Sequence, residues 1–233
     1  MIPLRDTLRS RHFPIMTWIL LGANVLVFLF QLTMPYEGLL RFTETFALIP
    51  ANLQSNPLWY VLTIFTSMFM HAGWFHLLSN MWILFIFGDN VEDRMGSLSF
   101  LIFYLLSGVT AALLQTFFFP GSAIPVVGAS GAIAGVLGAY ILLFPRARVV
   151  TLVPLLLFFT VINVPAVIYL GFWFVSQLFS GLASIGSTGG GVAWWAHIGG
   201  FLIGLVLSPL FRNRPPPPPR PEYVEIFHDT PRY

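Results

Sequence analysis

Hydrophobic residues make up 57% of this 233-residue chain and charged residues only 9%, against about 25% charged in soluble domains; it cannot cover its surface in water and is read as an integral membrane protein. The net charge of +2 and the absence of cysteine exclude a nucleic-acid partner, disulfides, thiol chemistry and cysteine-ligated metals. The apolar segments are too long and uniform for barrel strands, which alternate over roughly ten residues, so the expected fold class is an all-α membrane protein.

A helix needs about 20 apolar residues to cross a hydrocarbon core roughly 30 Å thick. Residues 1–14, with Arg5, Arg9 and Arg11, are expected as a cytoplasmic N-terminal segment. The first span runs from Ile15 to Met34 and is read as uncleaved, because no small-residue cleavage pattern follows it. Residues 35–57 read as a polar connection rich in turn-formers. The apolar stretch from Leu58 to Met70 is too short to cross at about 1.5 Å per residue and reads as an interfacial or partly buried helix. Spans follow at Gly73–Val91, about Leu98–Phe119 and about Val127–Phe144, where Pro145 ends the last of them.

The run from Val149 to Gly181 is long for one span and tight for two, with Pro154, Asn163 and Pro165 interrupting it. The reading is an apolar segment at the surface, then a fifth span from roughly Val164 to Phe179. "SGLASIGSTGGG" is then a flexible loop, and the sixth span is about Ala193 to Phe211. With six spans both termini share a side with Arg94, Arg146 and Arg148, leaving only Arg41 opposite. The positive-inside rule makes that side cytoplasmic. The membrane domain is therefore 15–212. The proline-rich remainder, 213–233, cannot form a core; it is expected as a disordered cytoplasmic tail, a proline-binding partner being the weaker alternative.

Polar side chains inside a membrane are rare and usually functional. Four of them share a depth in this topology. His76 and Asn80 lie in the first two turns of the second span, four residues apart and hence on one face. Ser130 opens the fourth span and His197 stands near the start of the sixth; all three spans run inward. A serine becomes a nucleophile when an adjacent base takes its proton. The oxyanion that follows needs donors, which His76, Asn80 and the unpaired N–H groups of a helix N-terminus can supply. Gly131, Gly135 and Gly138, with Gly200 and Gly204, give two spans small-residue faces that let backbones approach.

Each feature also has a plainer reading. A membrane serine commonly bonds back to its own helix, and small-residue spacing is a general packing device. A metal held by His71, His76 and His197 lacks the H-E-x-x-H pattern and any acidic residue at that depth. A transporter would show repeats and helices broken at mid-membrane, of which Pro154 and Pro165 are the only hint.

"HAGWFHLLSN", "GASGAIAG" and "AHIGGFLIG", with "EDRMG" and "WFVSQ", resemble the rhomboid family of intramembrane serine proteases over about residues 15–211. The resemblance implies a six-helix rhomboid-like bundle that needs no cofactor and cleaves single-span membrane proteins near the outer face. Ser130 is then the nucleophile and His197 the general base of a dyad, with His76 and Asn80 stabilising the oxyanion and His71 structural. It also implies a substrate helix that approaches past the fifth span. The expected location is a prokaryotic plasma membrane. Many members carry an aromatic residue four positions after the serine; here it is Ala134, which leaves open what holds the His197 ring. The alternative function is an inactive rhomboid-like protein that binds membrane clients.

Overall fold

The structure, a computed structural model, describes residues 1–155, 158–186, 191–213 and 215. Of the expected disordered tail, residues 214 and 216–233 lie outside the described residues, as do residues 187–190 of the expected flexible loop, while Asn213 is bonded to the Arg94 and Met95 carbonyls at the end of α5. The chain is mostly helical. Among the described residues, four helices are long and apolar enough to cross a membrane: α1 (Ile15–Leu32), α6 (Ser97–Phe118), α8 (Ala166–Ser184) and α9 (Trp194–Phe211). Beside them stand α5 (Trp74–Met95), whose last turns carry Asp89, Glu92, Asp93 and Arg94, and the shorter apolar α7 (Ser130–Leu143).

The connection from α1 to α5 is more ordered than a turn-rich loop. It holds α2 (Tyr36–Phe46), α3 (Asn52–Ser55) and α4 (Pro57–Ser67). The start of α4 is written in its sequence. Pro57 sits in the first turn, where its missing N–H costs nothing, and the Asn56 side chain accepts from the Trp59 N–H at 3.2 Å, a standard N-cap. Its inward face buries Tyr60, Thr63, Ile64 and Ser67, as expected of a partly buried helix.

The centre of the bundle is α7. Every residue from Gly131 to Tyr140 is buried, and α5, α6, α8 and α9 all pack around it. A helix that is apolar on all sides is stable only where neighbours cover it all round, which is why a helix of 14 residues suffices here. Its tightest neighbour is α9. A Cβ on Gly200 would strike the Gly131 carbonyl, and one on Gly204 the Gly135 carbonyl. The two helices therefore touch backbone to backbone, the contact that small residues permit.

At the opposite end of α7 from Ser130, "EDRMG" acts as a clamp. The buried Glu92 carboxylate accepts from the Met16 N–H at 2.9 Å, the Thr17 N–H at 2.7 Å and the Thr17 hydroxyl at 2.8 Å. It thereby fills the orphan donors at the N-terminus of α1, where a carboxylate is also favoured by the helix dipole. Asp93 accepts from the His12 N–H at 3.2 Å and pairs with its ring at 2.6 Å.

The all-α expectation holds for most of the chain but not for all of it. A three-stranded antiparallel sheet, in the order β1-β2-β3, stands at this same end. β2 (Arg148–Leu155) and β3 (Phe158–Pro165) form a hairpin where a surface segment and the start of the fifth span were expected. Pro165 closes β3, and α8 begins at Ala166. β1 (Ile2–Asp6) pairs with β2, so the N-terminal segment is tied to the connection between α7 and α8. Short runs of Val, Thr, Ile and Phe suit a pleated ladder better than a helix.

Candidate active site

α5, α7 and α9 each bring the start of one helix to the same end of the bundle. Ser130 is the first residue of α7, His197 lies in the first turn of α9, and His76 and Asn80 occupy the first two turns of α5. All four line one cavity of about 980 Å³, walled also by the 121–127 connection and by Gly191, Val192 and Ala193. The shared depth expected from topology is thus a shared cavity.

Ser130 and His197 meet directly. The Ser130 Oγ lies 2.8 Å from His197 Nε2, the arrangement in which an imidazole can take a hydroxyl proton. That distance depends on the glycine contacts described above, because they bring α7 and α9 close. The other ring nitrogen, Nδ1, lies 2.8 Å from Gln177 Oε1 on α8. The Trp173 ring is tilted 33° to the imidazole with its centroid 5.9 Å away, and Trp194 meets it edge-on at 6.2 Å. So the aromatic neighbours of His197 come from α8 and α9 and not from α7, where Ala134 is fully buried close to Gly200.

Asn80 is held from behind. Its Nδ2 donates to His71 Nε2 at 3.0 Å, and His71 is fixed in turn by Gln31 of α1. The Gln31 Oε1 accepts from the His71 N–H at 3.1 Å, and its Nε2 donates to the His71 carbonyl at 3.2 Å. His71 lies in the α4–α5 connection, where burial, aided by His76 nearby, lowers its pKa to about 4. The ring is therefore neutral at pH 7 and free to accept from Asn80.

Gly128 explains the first glycine of "GASG". Its φ of +124° is one that L side chains rarely adopt, and a Cβ there would lie 2.7 Å from His76 Cε1 and Nε2. Its N–H donates to the Ser67 carbonyl at 2.9 Å. The strand-like approach to Ser130 is thus anchored on α4 and pressed against the His76 ring.

Ser130, His197, His76 and Asn80, singled out from sequence, all line this cavity, and His71, to which the resemblance gives a structural role, bonds Asn80. Sequence reading missed Gln177 and Trp173, although both fall within "WFVSQ". Their spacing of four residues put them on one face, but nothing local said that the face looks at His197.

The sequence profile of the Rhomboid domain matches residues 58–214. The chain is 31% identical over 198 residues to rhomboid protein 1, mitochondrial, of Saccharomyces cerevisiae, covering 82% of this chain and 51% of that one. It is 32% identical over 193 residues to the rhomboid protease GluP of Bacillus subtilis, covering 80% of this chain and 35% of the relative. A shorter match, 32% over 89 residues, is to inactive RHOMBOID-like protein 8 of Arabidopsis thaliana, with 38% and 24% covered. The chain spans about half the length or less of these relatives.

Proposed function

The chain belongs to the rhomboid family, and on that premise we propose that it is an intramembrane serine endopeptidase that cuts membrane-anchored proteins near the outer membrane face. The observation that carries this reading is the 2.8 Å contact between Ser130 Oγ and His197 Nε2 inside a cavity large enough for water and an extended peptide. Ser130 attacks the scissile carbonyl as His197 Nε2 takes its proton. The oxyanion is received by Asn80, His76 and the N–H groups opening α7, donors of the kind that supply most of the stabilisation in acyl transfer. When the C–N bond breaks, His197 returns the proton to the leaving amine. Water, deprotonated by the same nitrogen, then attacks the acyl carbon, and His197 returns that proton to Ser130 Oγ as the ester C–O bond breaks.

The proposed topology has six spans, α1 and α5 to α9, with residues 1–14 and the tail from 213 in the cytoplasm. Its support is the arginine distribution in the sequence, which on a six-span count leaves all but Arg41 on one side. The substrates are single-span proteins that reach the cavity past α8 and unwind locally, and the proposed setting is a prokaryotic plasma membrane.

A second reading, a client-binding protein without activity, is favoured by the match to a relative named as inactive. Purified protein in detergent, offered a single-span reporter, separates the two. Cleavage by the wild type and none by Ser130→Ala is the expected result. Cleavage that survives the substitution overturns the assignment of Ser130. No cleavage, together with no labelling of Ser130 by a fluorophosphonate, overturns the protease reading and leaves client binding.

A further inference from the structure

A histidine can act as base only through a nitrogen that lacks a proton. Which nitrogen that is depends on the hydrogen bond made by the other. Here the chain of bonds behind His197 can be followed to a group with no choice. The Trp173 carbonyl can only accept, and it lies 3.3 Å from Gln177 Nε2. The Ser176 hydroxyl donates to that same carbonyl at 2.6 Å; its oxygen therefore accepts from Gln177 Nε2 at 3.0 Å. Both contacts require the amide nitrogen of Gln177 on that side, and so its oxygen faces His197. An amide oxygen only accepts, so Nδ1, at 2.8 Å, must carry the proton. Nε2 is then left with a lone pair towards the Ser130 hydroxyl, at 2.8 Å.

We propose that Gln177 is a positioning residue for the reaction, holding His197 in the Nδ1–H tautomer and in the ring orientation that lets Nε2 take the Ser130 proton. This rests on the protease reading for its kinetic consequence, but the tautomer itself does not. The pair Ser130–His197 thus has a third member, neutral where serine proteases in water use a carboxylate. A buried carboxylate would orient the ring equally well. It would also carry an unpaired charge inside the bundle, which is expensive in a membrane. The amide does the orienting without that cost, because Gln177 is buried and its remaining donors are met by α8 itself. In the opposite tautomer, Nε2–H would point at Ser130 Oγ and could only donate to it. The base would be lost with every heavy atom in place.

Two measurements test this. Nitrogen-15 spectra of histidine-labelled wild type, with His197 assigned by its loss in His197→Ala, should show Nδ1 protonated and Nε2 bare at neutral pH. In reporter cleavage, Gln177→Leu should lower kcat by about 10–100-fold, the range seen when a metal-bound histidine loses the partner of its other ring nitrogen, with KM nearly unchanged. Gln177→Glu, which keeps an acceptor for Nδ1, should recover most of the rate. A wild-type spectrum with Nε2 protonated overturns the proposal, as does a folded Gln177→Leu with wild-type kcat. Should Gln177→Leu not fold, the wild-type spectrum and Gln177→Glu still decide. A wild type that cleaves nothing defeats the protease reading, and the spectrum still judges the tautomer.

Discussion

Gly128 is the residue at which backbone geometry and chemistry meet most closely. Its φ of +124° and the 2.7 Å that would separate a Cβ from His76 mean that any other amino acid must displace what surrounds it. Gly128→Ala must move either the His76 ring or the residues leading into Ser130. The fold should survive, because the strain is confined to one connection at the mouth of the cavity. Reporter cleavage should fall by about 100-fold, the cost of a displacement of an ångström or so in a catalytic constellation. A variant that cleaves at the wild-type rate would remove His76 from the oxyanion site. The same neighbourhood shows why the polar residues could be read from sequence. Ser130, His197, His76 and Asn80 are exceptions in apolar helices, and an exception at membrane depth carries information by itself. Gln177 is such an exception too, but its meaning lies in a partner 20 residues away on another helix.

At the scale of elements, the α7–α9 contact sets the distance across which the hydroxyl and imidazole meet. A Cβ on Gly204 would strike the carbonyl oxygen, carbon and Cα of Gly135, so it meets the backbone of α7 and cannot be accommodated by a rotamer change. Gly204→Ala should cost about 1–3 kcal/mol, the range for overpacking a close-packed interior, and should also reduce cleavage by widening the gap between Ser130 and His197. Thermal unfolding in detergent and the reporter assay, run on the same sample, check both. Gly22→Ala is the control, since nothing lies within 4 Å of a Cβ there; it should match the wild type in each. The stripe of small residues was legible because its spacing follows the helical repeat. The β2–β3 hairpin was not. A continuous apolar run has no period that separates a buried helix from a strand, and Pro154 and Pro165 break a helix and edge a strand equally well. The sequence also left Ala134 unexplained. Trp173 supplies the ring that packs on His197, and only the crossing of α8 over α9 reveals it.

Over the whole molecule the two ends of the bundle do different work. The site end is a set of helix beginnings around a cavity. The other end is a set of polar locks that hold distant parts of the chain together. Glu92 joins α5 to the start of α1, Asp93 meets His12, and Asp6, at the end of β1, reaches 84 residues along the chain to Asn90 and 134 to Tyr140. No sequence period could reveal the last of these locks, because a five-residue strand gains its ladder from β2, far along the chain. Asp6 is fully buried; its Oδ2 accepts from the Asn90 amide at 2.7 Å and from the Tyr140 hydroxyl at 2.6 Å. Asp6→Ala removes that shared acceptor, and a buried donor deprived of its acceptor costs about 1–3 kcal/mol. The melting temperature in detergent should drop clearly, and Asp6→Asn, which keeps one amide oxygen, should lose less. Tyr140 stands ten residues beyond Ser130 on α7, or about 15 Å at 1.5 Å per residue. The kcat of the folded fraction should therefore equal that of the wild type, because the lock lies at the far end from the Ser130–His197 pair. A fall in kcat at unchanged stability would mean instead that β1 and the cavity are coupled through α7.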